Sequence, residues 1–181
     1  MSFIFREKKK PVIGIDISST AVKVLELSRS GGRYKVESFG YEPLPSGAID
    51  EYIIKDHELV AKTIRKAVSA AKPKVRTAAL SLPGSMVITK LVEMDATLFD
   101  FEIENQLMME AEQYIPFSMD EVNMDFDVLG PNAEDETKND VLLAVSQTER
   151  VDDLISVSRA AKVSPLVVDV EAYSIERAFN V

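Results

Sequence analysis

The sequence predicts a mixed α/β protein of two units. Three observations carry that prediction: strand-like alternation over residues 12–43, a helix-like stripe over 56–71, and a fresh strand and helix pattern after Pro83-Gly84. The first stretch divides into Val12–Asp16, Ala21–Ser28 and Arg33–Tyr41, the last two joined by the turn Arg29-Ser30-Gly31-Gly32. Short polar turns fold consecutive strands back on one another, so an antiparallel meander is expected. Asp56 stands where a helix N-cap belongs; Leu59, Val60, Ile64, Ala67, Val68 and Ala71 share one stripe, and Pro73 closes it. Thr77–Leu82 then reads as a buried strand that ends at Pro83-Gly84.

After that break, Met86–Met94 reads as a strand with Met86, Ile88, Lys90, Val92 and Met94 on one face and Val87, Thr89, Leu91 and Glu93 on the other. Thr97 is the candidate N-cap of a helix whose inner stripe is Phe99, Ile103, Leu107, Ala111 and Tyr114. Pro116 disfavours helical geometry at Ile115 and ends it. Val122–Val128 alternates again, with Asn123, Asp125 and Asp127 outward, and a polar loop leads to the strand Val141–Ser146. Asp125 and Asp127 suit either metal binding or, more commonly, an exposed polar face.

Composition narrows the classes of function. With no cysteine among 181 residues, disulfides, zinc thiolate sites and thiol catalysis are excluded, and the cytoplasm is the default compartment. No apolar run approaches the ~20 residues of a transmembrane helix, so no transmembrane segment is expected. Phe3, Ile4 and Phe5 followed by Lys8–Lys10 fit a mobile tail better than a membrane anchor, and a signal peptide not at all. His57 is the only histidine, so a catalytic triad has nothing to build on. The net charge of −9 is concentrated: Leu91 to Thr137 holds fourteen aspartates and glutamates and no lysine, arginine or histidine. That argues against nucleic acid and favours a basic partner, beside the ordinary reading of a solvated acidic face.

The remaining motif is Gly14-Ile15-Asp16-Ile17-Ser18-Ser19-Thr20-Ala21-Val22-Lys23. Ser18, Ser19 and Thr20 are small residues whose amides suit an anion. Asp16 suits a divalent cation beside that anion, and Lys23 is long enough to reach it. An ordinary hairpin with a polar turn explains the same residues.

The motif resembles the first phosphate loop of the actin-like ATPases, in which Asp16, Ser19, Thr20 and Lys23 match in kind while Ser18 replaces the usual glycine. The run Glu110-Ala111-Glu112-Gln113-Tyr114-Ile115-Pro116-Phe117, with Glu121-Val122, Asp125 and Val168-Asp169-Val170-Glu171-Ala172-Tyr173, resembles the PilM family of type IV pilus assembly. The resemblance implies a ribonuclease-H-like, actin-type subdomain 1A (residues 1–84 and 148–181) with an inserted strand-helix-strand-strand subdomain 1C (85–147), as in FtsA. It further implies that the second nucleotide-binding lobe lies beyond this chain, with ATP and Mg bound only by the full-length protein. Nucleotide contacts would come from Asp16, Ser18, Ser19, Thr20 and Lys23, with Asp16 toward the metal.

The implied role is that of an adaptor at the cytoplasmic side of the inner membrane, this chain by itself not being an enzyme and slow ATP hydrolysis being left to the full-length protein. Its partners would be the N-terminal cytoplasmic tail of PilN, docked between 1A and 1C, and other pilus platform or motor components. Pro83, Met86, Leu91, Met94, Tyr114, Pro116 and Phe117 are the candidate peptide contacts, with core packing the competing account, above all for Met86 and Met94. The alternatives are an FtsA-like cell-division protein, the actin-like platform protein of type II secretion, and half of an actin-like ATPase or kinase cleft.

Overall fold

The computed structural model describes residues 11–179; the tail formed by Phe3–Phe5 and Lys8–Lys10 lies outside them. Packing divides the chain into two compact units, one comprising the residues up to Ser81 with Leu154–Asp169, the other Leu82–Asp153 with the chain from Val170 onward. The divisions fall at 81/82 and 153/154 rather than at 84/85 and 147/148, and the segment from Val170 groups with the second unit.

The first unit is built on a five-stranded sheet. β1 (Ile13–Ile17), β2 (Ala21–Ser30) and β3 (Arg33–Pro43) form the antiparallel meander expected from their turns. A small ribbon of β4 (Ile49–Asp50) and β5 (Ile53–Ile54) follows, turned by Glu51 and Tyr52 in left-handed geometry at φ 46° and 66°. After helix α1 (His57–Ala71), β6 (Thr77–Leu82) pairs parallel with β1, and β10 (Ser164–Val170) adds beyond it. The order β10-β6-β1-β2-β3, with an antiparallel meander and a parallel crossover, is the ribonuclease-H-like arrangement.

α1 is fixed at both ends and along one face. Asp56 accepts from the Leu59 amide at 2.9 Å, and Lys72 ends the helix at φ 52°. Its buried residues Val60, Ile64, Ala67 and Val68 share one core with Ile13, Ile15, Val22 and Val24 of the sheet. The helix crosses β3 at Gly40, where a Cβ would stand 2.3 Å from the Ala67 carbonyl oxygen. Glycine is there because the backbones touch. The buried Glu26 carboxylate accepts from the Lys74 amide at 3.0 Å and ties the loop after α1 to β2.

Two elements of this part carry weak sequence signals. Helix α3 (Thr148–Ala160) sends Val157 into the first core but also buries Ser158, whose hydroxyl has no hydrogen-bond partner among the described residues. A polar residue on the inner stripe blurs the helical period. β10 alternates poorly, with Leu166 and Val167 both exposed.

The second unit is a three-stranded antiparallel sheet of order β7-β9-β8, formed by β7 (Ile88–Asp95), β8 (Val122–Pro131) and β9 (Lys138–Gln147). Helix α2 (Asp100–Tyr114) joins β7 to β8 and places Ile103 and Leu107 in a core with Val92, Met94, Val141, Leu143 and Val145. Helix α4 (Glu171–Phe179) completes the described chain.

The start of α2 departs from the expectation. Thr97 does not cap it: its amide and hydroxyl both donate to the Asp95 carboxylate, at 2.9 and 2.6 Å, in a tight turn. Those bonds hold the Asp95 carboxyl below its ordinary pKa. The helix begins three residues later, where the Phe99 amide donates to Glu102 Oε2 at 2.9 Å. Phe99 accordingly leaves the inner stripe: it is 69% exposed and stacks on Phe101 with ring centroids 6.2 Å apart.

Candidate functional site

The β1–β2 turn is built by its own side chains. Register pairs Asp16 with Lys23 across the two strands, and Lys23 Nζ stands 2.7 Å from Asp16 Oδ2. Both side chains are about half exposed, at 47% and 48%, so the pair itself contributes about 0–1 kcal/mol. The sequence placed Lys23 within reach of an anion; the strands place it on Asp16. Ser18 closes the turn three times over, its amide and hydroxyl donating to the Ala21 carbonyl at 3.0 Å and its Oγ accepting from the Ala21 amide at 3.2 Å.

Ser18 is not among the residues of positive φ. This turn therefore does not require glycine's conformational freedom, and the hydroxyl serves as an internal staple instead. Ser19 and Thr20 are exposed, their amides take no part in those bonds, and the Thr20 carbonyl accepts from Leu44 N at 2.8 Å. The donor set is one carboxylate, one ammonium, exposed hydroxyls and turn amides, which fits a phosphate group accompanied by a hydrated cation. Among the described residues there is no cluster of three or more His, Cys, Asp or Glu side chains suited to hold a metal directly. Asp125 and Asp127 follow one another on the exposed face of β8, and the Asp125 carboxylate accepts from the Phe126 amide at 2.9 Å.

The candidate peptide contacts all belong to the second unit, but they do not form one patch. Leu91 and Met94 lie on opposite faces of β7: Leu91 is 59% exposed, whereas Met94 is 2% exposed inside the core. Met94 is thus a core residue of this unit rather than a surface anchor. Pro83 precedes and Met86 ends a 3₁₀ turn before β7, both half-buried, and the Met86 carbonyl accepts from Ser146 Oγ at 3.0 Å. Pro116 is exposed and Phe117 half-buried just past α2; the side chain of Tyr114 lies outside the described residues. What sequence reasoning missed is a second apolar stripe on α2, made by Phe101, Met108 and Met109, all exposed. Its signal was present in the paired Met108-Met109 but was hidden by assigning the helix a single inner stripe.

The sequence matches the family model described as type IV pilus assembly protein PilM over residues 14–181, nearly the whole chain. The chain belongs to the PilM family. Among solved structures it is similar to a PilM–PilN type IV pilus biogenesis complex, with 26% identity and a TM-score of 0.80 over 92% of this chain and 49% of that one. It also resembles the cytoplasmic domain of EpsL, an inner-membrane component of the type II secretion system of Vibrio cholerae. That likeness, 15% identity and a TM-score of 0.54 over 89% of this chain and 57% of that one, concerns the fold alone. The PilM-family chain spans about half the length of these relatives. Family membership favours pilus assembly over the cell-division, secretion and kinase alternatives.

Proposed function

We propose that this chain is the part of a PilM-type adaptor that captures the N-terminal cytoplasmic tail of a PilN-type membrane protein. The observation that carries the reading is the similarity to the PilM–PilN complex across 92% of the chain. Charge supports it. The second unit carries twenty acidic and four basic residues, a net −16, against ten acidic and seventeen basic, a net +7, in the first. Cytoplasmic flanks of membrane spans are commonly basic, so the acidic unit steers such a tail while apolar residues hold it. Leu91, Pro116, Phe117, Pro83 and Met86 are the surface-accessible candidates for that holding role.

On this reading the chain is an adaptor and not a catalyst, and it works at the cytoplasmic face of the inner membrane alongside other platform or motor components. No helix among the described residues is long and apolar enough to cross a membrane. In a full-length protein, Asp16, Ser19, Thr20 and Lys23 would hold one phosphate end of ATP-Mg, with Ser18 shaping the turn that presents them. Lys23 would offset the anion's charge from its place beside Asp16, and the amides and hydroxyls of Ser19 and Thr20 would orient it.

The test is a titration of a labelled PilN-type tail peptide into the 181-residue chain by fluorescence anisotropy, at low and at physiological salt. Saturable binding that weakens with salt but survives supports apolar holding with electrostatic steering. Absence of binding at both salts overturns the proposal for this chain.

A further inference from the structure

Helix α2 is apolar on two sides. Ile103 and Leu107 fill the core of the second unit, yet Phe101, Met108 and Met109 stand outside it, at 61%, 49% and 85% exposure. A helix that covers one sheet needs a single apolar stripe; a second stripe implies a second covering surface. Phe101 and Met108 are seven residues apart, two helical turns, so they lie on one line with a separation of roughly 10 Å. Met109 widens that line, and the stacked Phe99 extends it beyond the helix start.

The charge along this helix has one sign. Asp100 and Glu104 are exposed along its flank, and no lysine, arginine or histidine occurs anywhere from Leu91 to Thr137. Two of its apolar residues are methionines, flexible and polarisable, which adapt to differently shaped partners. Exposed methionines and phenylalanines framed by carboxylates suit a helix that is apolar on one face and cationic on the other. A second copy docking through the same face of its own second unit would bring −16 against −16 and is disfavoured by like charge.

We infer that the outer flank of α2, formed by Phe99, Phe101, Met108 and Met109 beside Asp100 and Glu104, is a docking surface for a basic amphipathic helical segment of a partner protein. This surface shares no residue with the candidate tail contacts at Pro83, Met86, Leu91, Pro116 and Phe117. It gives the adaptor a second point of attachment.

The experiment uses the 181-residue chain and a fluorescein-labelled Leu/Lys peptide of about eighteen residues, five helical turns, patterned as an amphipathic helix. A peptide of the same composition, scrambled to break the stripe, is the control. The patterned peptide is expected to bind more tightly than the scrambled one. The triple variant F101S/M108Q/M109Q, in which every replaced side chain is exposed, is expected to weaken it by about tenfold or more. Glu104→Gln is expected to weaken binding mainly at low salt. Labelled methionine methyl groups give an independent readout, with Met108 and Met109 shifting on binding and buried Met94 unmoved.

Equal binding of the two peptides, or equal binding by wild type and triple variant, overturns the inference. So does a dimer at micromolar concentration that the triple variant dissolves, since the occupant would then be a second copy. The PilN-type tail peptide should bind the triple variant as it binds wild type. If the triple variant loses tail binding too, the separate surface falls while the tail-binding reading stands.

Discussion

The two units of this chain solve the same problem, covering one face of a small sheet with a helix, and they do it to different degrees. In the first, α1 lies so close to β3 that only Gly40 fits beneath it, and Glu26 and Glu37 fasten the following loop through Lys74. In the second, α2 covers the sheet with Ile103 and Leu107 while Phe101, Met108 and Met109 remain outside. The first unit carries +7 and the second −16. The first is built as a scaffold, and the second spends part of its apolar surface on recognition.

The contrast is testable, and the strongest test is at the helix crossing. Gly40→Ala forces a methyl against the Ala67 backbone, so it should destabilise the first unit by about 3 kcal/mol or more. Hydrogen exchange should show the loss of protection in β3 and α1 while β8 and β9 keep theirs; loss in both units alike would break the comparison. Leu107→Ala, which empties a fully buried position, should cost the second unit about 2–5 kcal/mol by chemical denaturation. Asp56→Ala removes the α1 cap and should cost about 1 kcal/mol, read from the same curve.

A pH titration sharpens the comparison further. Lys74, with help from Ser28 and Lys35, lowers the Glu37 carboxyl from 4.5 to about 2. A carboxylate depressed in the folded state stabilises it above the unfolded pKa and loses that contribution as protons bind. First-unit stability should therefore decline as pH falls from 4.5 toward about 2, and Glu37→Gln should remove that part of the decline. The smallest effect is expected at the exposed Lys138–Glu93 pair of the second unit, 2.7 Å apart, where Glu93→Gln should leave the denaturation midpoint nearly unchanged.

Much of this was legible in the sequence where periodicity and punctuation agree. The meander, α1 with its Asp56 cap, and β6 all fall between Gly-Gly, Pro73 and Pro83-Gly84, residues that leave the backbone few choices. The start of α2 was misread because Asp95 captures Thr97 two residues away, a local bond that competes with capping. Helix α3 was hidden by the polar Ser158 on its buried side, and β10 by its poor alternation.

The candidate site was partly legible for similar reasons. Its residue types were apparent, but only strand register shows that Lys23 faces Asp16 and that Leu91 and Met94 point to opposite sides of one sheet. Sequence spacing lists neighbours along the chain. It does not say which residue a side chain has already engaged.

One feature of the second unit bears on how its partners are sought. Between Lys90 and Lys138 there is no primary amine and no site for trypsin, so α2 and its outer flank travel in a single long tryptic peptide. Amine-reactive cross-linkers have nothing on that helix to capture, whatever rests on it. An interaction survey built on lysine chemistry would map the basic first unit densely and reach the acidic one only through Lys90 and Lys138. Carboxylate-directed reagents and cleavage after glutamate invert that bias, because the residues that give this face its charge are also the ones that make it visible.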